Sequence, residues 1–196
     1  MTKTRFAAAS CLVSIVAFAS AFGFASAIDK APRRAPAIRS SASWAYKTQD
    51  PARMARDVDA IVIATLDGVS AGRVAYSSNS EDSLAFEIDT FRVDEVLRGS
   101  GISTTVKVER VATNQGNRIA RFDFDGGPFV PKTQYLLFLK KQSDADVFYQ
   151  VNDEGRYAID GLGRARSRAK GAVAAALHGR SVGQIRALVA AATRGR

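Results

Sequence analysis

Residues 84–98 read LAFEIDTFRVDEVLR, and the alternation of apolar and polar side chains along them is the clearest structural signal in this chain of 196 residues. Period two is typical of a half-buried β-strand. Phe86 and Ile88 share one parity, whereas Phe91 has the other, and such a one-residue change indicates a β-bulge. We therefore expect a strongly bent strand that turns Phe86 towards a hydrophobic core.

Further strands are predicted on both sides of this stretch. Residues 60–66 and 135–139 are apolar at nearly every position, which is typical of central strands that are buried on both faces. Residues 104–111 alternate like a half-buried strand. Residues 147–151 and 156–159 flank a polar, glycine-containing turn and therefore predict a hairpin.

Helices are predicted at the two ends of this strand region. Asp50 is a good N-cap, and Pro51 suits the first position of a short helix. Towards the carboxyl end, apolar residues recur with helical spacing over residues 165–177. Ser181 and Gln184 then have the spacing of a capping box, and one apolar stripe follows them. We expect these last two helices to be basic and to pack on or beside the strands.

Strongly bent strands followed by helices predict a mainly β fold with C-terminal helices, built around a small closed β-barrel in one domain. Residues 28–49 mix proline, alanine, serine and arginine without a hydrophobic period, which is typical of a flexible linker. We therefore assign a signal peptide to residues 1–27, the linker to 28–49, the barrel domain to 50–160 and the basic C-terminal helices to 161–196.

Three of the predicted strand segments together resemble a layout found in many small exported bacterial proteins of unknown function. The segments are Ala60–Leu66, Phe91–Gly99 and Tyr135–Leu139. Those proteins are similar in architecture to the oligonucleotide-binding (OB) barrel of netrin-like and tissue-inhibitor-of-metalloproteinase domains. The resemblance covers about residues 58–160 and implies an OB-like barrel. Netrin-like domains usually carry N-terminal disulfides that this chain lacks, so the resemblance implies no site residue.

The N-terminal segment predicts export. Lys3 and Arg5 precede an apolar run that ends in Ala25-Ser26-Ala27, the kind of small residues that a signal peptidase cleaves after. We expect a cleaved signal peptide, a mature chain that begins at Ile28 without a transmembrane segment, and a secreted or periplasmic location. Cleavage would also remove Cys11, the only cysteine, and with it any disulfide or thiolate chemistry. An uncleaved anchor is the alternative, since about 20 apolar residues can span a bilayer.

The net charge of +9 is distributed unevenly along the chain. Residues 28–53 carry +4, residues 54–155 carry −5 and residues 156–196 carry +8. Clustered cations can bind phosphate-rich polymers, anionic envelope glycans or an anionic membrane surface. Arg164, Arg166, Arg168 and Lys170 are the candidate residues for such an anion-binding face. Charge asymmetry alone favours the alternative, a solvated helical face, and the lack of interleaved aromatic residues argues against specific nucleic-acid recognition.

One motif offers a catalytic alternative. Gly68-Val-Ser70-Ala-Gly72 matches the nucleophile elbow of serine hydrolases, and Asp160 and His178 follow in the order serine, acid, histidine. That motif requires a tight turn from a strand into a helix, and the residues after Gly72 predict no helix. A glycine-flanked bend in a strand is therefore the favoured interpretation of Ser70. His178 precedes Gly179 at the predicted end of a helix, where a cation interacts favourably with the helix dipole.

Metal and cofactor chemistry receives no support from the sequence. Residues 112–134 have no hydrophobic period and are rich in glycine and proline, which predicts a long loop. This loop contains Asp123-Phe-Asp125-Gly-Gly127, but the further ligands of a calcium loop are missing, which favours a surface turn. The single histidine excludes a zinc site with two histidines. We therefore expect no metal site, no cofactor and no catalytic residue. The sequence favours a secreted or periplasmic, non-enzymatic binding module whose partner is a macromolecule, either a protein or an anionic envelope polymer.

Overall fold

The computed structural model describes residues 38–40, 46–76, 83–112, 114–115, 118–122, 127–143 and 146–194. The predicted signal peptide lies outside these residues, as do the first part of the predicted linker and residues 123–126 of the calcium-like motif. In the described part, no helix is both long enough and apolar enough to cross a membrane.

Short helices flank a strand-rich middle. The helices are α1 (Pro51–Asp57), α2 (Ala172–Leu177) and α3 (Val182–Thr193), with one 3₁₀ turn at Asp153–Gly155. The strands are β1 (Ile38–Ser40), β2 (Ala60–Tyr76), β3 (Ser83–Arg98), β4 (Thr105–Val111), β5 (Asn114–Gln115), β6 (Arg118–Phe122), β7 (Gln134–Lys141), β8 (Phe148–Gln150), β9 (Arg156–Ile159) and β10 (Ala165–Arg166).

Seven of these strands form one sheet that contains a closed ring. Their order is β10-β9-β7-β2-β3-β4-β8, and β8 also pairs with β7, so β2, β3, β4, β8 and β7 close on one another. The β4–β8 pair is parallel, whereas the other pairs of the ring are antiparallel. The chain is therefore mainly β with C-terminal helices, as predicted. A separate small sheet joins β1, from the predicted linker, to β6 and β5.

The central strands β2 and β7 are buried on both faces, as their composition predicts. Val62, Leu66 and Leu137 belong to a cluster that β3 and β4 complete with Phe91, Val106 and Val108. Ile61 and Phe138, on the opposite faces of the same two strands, belong to a second cluster together with all three helices. Alternate side chains of one strand therefore serve two cores, which explains their continuous apolar character.

The inward face of β3 differs from the prediction. Asp89 is fully buried together with Phe91, and the pairing of β3 with β4 runs from Phe86 to Arg92 without a shift of register. The pairing of β2 with β3 does shift register, and the shift between Leu66 and Gly68 lies opposite Phe91 and Thr90, close to the predicted bulge, with the extra residue in β2. Phe86 is only half-buried, and the expectation that it fills the core is wrong.

An ion-pair network explains how acidic residues occupy the inward positions of β3. Arg110 of β4 donates from Nε to Asp89 at 2.6 Å and from Nη2 to Glu87 at 2.5 Å. Its side chain is only 11% exposed and that of Asp89 is fully buried. Burial raises the pKa of the Asp89 carboxyl and the charge of Glu87 adds to this effect, whereas the charge of Arg110 opposes it. The neighbouring strand β4 thus supplies the cation that offsets the free-energy cost of burying the Asp89 carboxylate.

The predicted hairpin near the end of the strand region is also wrong. β8 and β9 do not pair with each other; both pair with β7, β9 at Tyr135–Leu137 and β8 at Leu139–Lys141. The intervening 3₁₀ turn moves the chain from one part of the β7 edge to the next. Segment 112–134, predicted as a loop, contains the short strands β5 and β6.

The helix caps that the sequence predicts from residues close together in the chain are present in the structure. The Asp50 side chain accepts from the Ala52 N–H, and Ser181 and Gln184 form the complete capping box of α3. The helix predicted from Ala165, however, begins only at Ala172, because the backbone of Ala165 pairs with β9 and with the segment before α3. The N-terminus of α2 is capped from a distance, since the Ala174 N–H donates to Glu154 at 2.7 Å.

Candidate anion-binding site

The four predicted anion-binding residues lie on the short strand β10 and on the irregular residues on either side of it, and not on a helix. All four are exposed, and they alternate with the less exposed Ala165, Ser167 and Ala169. We call this set the basic strip; it consists of Arg164, Arg166, Arg168 and Lys170. Its spacing of two residues matches the period of a strand, because alternate side chains of an extended chain point to the same side. That spacing was visible in the sequence, but the alanines between the cations suggested a helix.

One acid neutralises part of the strip. Asp160 forms an ion pair with Arg166, with Oδ2 at 2.8 Å from Nε, and accepts the backbone N–H groups of Leu162 and Arg164. These bonds, led by that of the Arg164 N–H, lower the pKa of the Asp160 carboxyl. Within the described part of the chain, no carboxylate lies within 4.0 Å of the charged groups of Arg164, Arg168 or Lys170. Three of the four cations are therefore uncompensated there.

A cleft of about 240 Å³ lies beside the basic strip. Arg166 and Arg168 line it together with Arg156 of β9, so three arginines border the same cleft. Its other lining residues are Pro128, Val130, Thr133, Tyr135, Asp153, Ala158, Ser167 and Ala169. Arg156 was not predictable as a neighbour of the strip, because nothing in the sequence indicates that β9 and β10 pair and bring it there.

Arg156 is held in place by the segment before β7. Its guanidinium carbon lies 4.3 Å from the centre of the Phe129 ring, and its Nη1 donates to the Gly127 carbonyl at 2.8 Å. Phe129 in turn makes edge-on contacts with Phe91 and Tyr135, each with ring centres 4.9 Å apart. This cation–π contact and the packing beneath it give the wall of the cleft a defined geometry.

Asp153 is the acid that lines the cleft. Burial raises the pKa of its carboxyl, and backbone N–H groups of Glu154 and of Asp153 itself partly oppose that shift. When ionised, it repels an anion in the cleft, so the cations must outweigh it for an anion to bind.

A second cleft has a different charge balance. It measures about 660 Å³ and is lined by Lys107 and Lys141 but also by Asp59 and Asp146. Two cations and two acids leave no net charge to select an anion. Among the described residues, no group of three or more His, Cys, Asp or Glu side chains is placed to hold a metal ion.

The geometry at Ser70 is that of a strand. Gly68 to Gly72 lie inside β2, and shifts of register between Leu66 and Gly68 and between Ala71 and Val74 surround Ser70. This is the glycine-flanked bend that the sequence favoured, without the turn into a helix that a nucleophile elbow requires.

Asp160 and His178 have other roles. Asp160 is paired with Arg166, and Nδ1 of His178 accepts the Ser167 N–H at 3.3 Å. His178 is the C-cap of α2, in the position that the sequence predicts, and Gly179 follows with a positive φ of 79°. The imidazole thus supports the segment that carries the basic strip.

No protein-family model matches this chain, and no curated protein shows significant similarity to it.

Proposed function

We propose that this protein is a secreted or periplasmic, non-enzymatic binding module that holds an anionic polymer on its basic strip. The observation that carries the proposal is the row of exposed cations that alternate with less exposed residues over 164–170, and three of these cations have no carboxylate partner among the described residues. Such a row attracts a polyanion because each contact releases condensed counterions from the polymer.

The ring of five strands supports a finer description of the fold, an OB-like closed β-barrel within residues 50–160. An OB barrel is a five-stranded, partly open ring of Greek-key topology. Here β2, β3, β4, β8 and β7 follow one another around the ring, and β9 extends β7 beside it. The proposed binding surface lies on this extension, because β10 pairs with β9 and carries Arg166.

The proposed location rests on the N-terminal sequence. Lys3, Arg5 and the apolar run before Ala27 have the order of a cleavable signal. An exported protein would meet anionic envelope polymers, which gives the basic strip a plausible ligand in that compartment.

A salt gradient on an immobilised polyanion such as heparin tests the proposal. The test variant carries Arg164→Gln, Arg168→Gln and Lys170→Gln, which remove the three cations of the strip that have no carboxylate partner among the described residues. The matched control carries Lys47→Gln, Lys107→Gln and Lys141→Gln, since these lysines are also exposed and have no ion-pair partner among the described residues. Both variants lose the same net charge, so a difference between them reports the location of the charges.

We expect the strip variant to elute at clearly lower salt than the wild type and the control variant to elute close to the wild type. With duplex DNA as the polymer, the slope of log affinity against log salt should become less negative by up to about 2.7 when three contacts are lost, at roughly 0.9 per phosphate. Circular dichroism checks that both variants are folded. Equal elution of the two variants would refute the strip as the binding surface. A partner would then be expected to bind the acidic region of residues 54–155, which carries a net charge of −5.

A further inference from the structure

The cleft beside the basic strip has the composition of a site for one tetrahedral anion. We propose that it binds a single phosphate group of the polymer through Arg156, Arg166 and Arg168, and that it thereby makes the protein prefer phosphate polymers over carboxylate polymers. This inference rests on the proposed function, since it names the acidic group that the ligand of the strip carries.

The arginine and serine side chains of the cleft provide the hydrogen-bond donors that a phosphate group requires. A guanidinium presents a planar fork of donors that matches two oxygens of a phosphate, whereas a lysine acts as a point charge. Arg166 donates from its Nε to Asp160. Its two terminal nitrogens have no partner among the described residues, so they can donate to a ligand. The Ser167 hydroxyl oxygen accepts the Ala169 N–H at 3.1 Å, which leaves its hydrogen to donate into the cleft.

The size of the cleft favours one acidic group over a whole small molecule. Its volume of about 240 Å³ corresponds to about eight water molecules at roughly 30 Å³ each. Pockets for drug-sized ligands usually measure about 300–1,000 Å³. The cleft is therefore large enough for a phosphate with its ester oxygens, and the rest of a polymer would lie along the strip outside the cleft.

The arrangement of the arginines is set before a ligand arrives. Arg156 is fixed by Phe129 and by the Gly127 carbonyl, and Arg166 is fixed by the pairing of β10 with β9 and by Asp160. Side chains that are already ordered lose less conformational entropy on binding. Asp153 opposes the anion from the same cleft, and this makes it a useful probe, because neutralising it should strengthen binding.

Calorimetric titration of the full mature chain with inorganic phosphate and with acetate tests the site directly. We expect phosphate to bind and acetate to bind more weakly by about tenfold or more, since hydrogen bonds to charged groups contribute about 1.5–3 kcal/mol each. Arg168→Lys keeps the charge but removes the fork, so we expect phosphate affinity to fall by about tenfold. Ala169→Leu fills the cleft without changing any charge and should abolish phosphate binding.

Asp153→Asn provides a gain of binding that damage to the fold would not produce. We expect it to raise phosphate affinity by about twofold to fivefold, the range of a partly exposed charge interaction of about 0.4–1 kcal/mol. Elution from immobilised polyglutamate, which carries carboxylates but no tetrahedral anion, separates this inference from the proposed function, because Ala169→Leu leaves every cation of the strip in place and should elute from it like the wild type.

The outcomes separate the two proposals. If heparin binding depends on the strip but phosphate titrations of the wild type, Arg168→Lys and Ala169→Leu are the same, the cleft is not a phosphate site and only this inference fails. If heparin binding does not depend on the strip, the proposed function fails as well. If the protein binds free phosphate but does not bind phosphate polymers more tightly than polyglutamate, the cleft is a site for the free ion only and the proposed polymer specificity is refuted.

Discussion

Replacing Arg110 with methionine is the substitution that most directly tests the interior of the ring. Arg110 extends from β4 and binds two carboxylates of β3, Asp89 and Glu87. Methionine preserves much of the aliphatic volume of the side chain, so the change removes mainly the charge and the hydrogen bonds. A fully buried Asp89 would then lose its counterion.

The expected cost is about 3–5 kcal/mol of unfolding free energy, the usual effect of removing one partner of a buried ion pair. This is a large part of the roughly 5–15 kcal/mol that stabilises a typical domain. The matched control is Arg73→Met. Arg73 of β2 also binds a carboxylate, that of Glu109 on β4. The Glu109 side chain is 10% exposed, but that of Arg73 is 53% exposed and leaves the pair open to water, so we expect a smaller loss of about 1–2 kcal/mol.

The dependence of stability on pH provides a second readout. Burial raises the pKa of the Asp89 carboxyl above its ordinary value, so the folded state binds this proton more tightly than the unfolded state. The contribution of Asp89 is therefore most favourable below its unfolded pKa and declines as the pH rises through its folded pKa. Because Arg110 opposes the shift, Arg110→Met should extend this decline to higher pH. Additional replacement of Asp89 by asparagine should remove it.

Urea unfolding of the wild type, Arg110→Met and Arg73→Met between about pH 4 and pH 8 measures both effects. Equal losses for the two single variants would contradict the burial difference on which the estimate depends. A pH profile of Arg110→Met parallel to that of the wild type would refute the coupling between Arg110 and Asp89.

Other predictions follow from single features of the chain. Phe91→Ala should destabilise the protein by about 3–5 kcal/mol because Phe91 is fully buried, whereas Phe86→Ala should cost clearly less because Phe86 is half-buried; similar losses in thermal unfolding would contradict the assigned faces of β3. Ser181→Ala should cost about 1 kcal/mol, since it removes the side-chain cap of α3, and an unchanged stability in urea would show that the cap is dispensable. N-terminal sequencing of the exported protein should yield Ile28, and a full-length species in the membrane fraction would support an uncleaved anchor instead.

Features set by neighbours along the chain were predictable from the sequence. The caps at Asp50 and Ser181 involve residues two or three positions apart, so their residue types are sufficient to identify them. The central strands β2 and β7 were predictable for a related reason, because a short, β-branched run that is apolar at nearly every position is typical of a strand buried on both faces. The four cations of the basic strip were likewise found from local charge density alone.

Features that depend on partners far along the chain were decided only by the tertiary structure. The inward face of β3 contains an acid because Arg110 of another strand reaches it, and the apolar pattern alone could not reveal that pair. Likewise, the residue type of Ala165 is compatible with a helix, but its backbone pairs with β9 instead. The same pairing brings Arg156 next to the basic strip. Local preferences amount to a few tenths of a kcal/mol per residue, whereas a backbone group left unpaired in the interior costs about 1–3 kcal/mol, so long-range pairing overrides them.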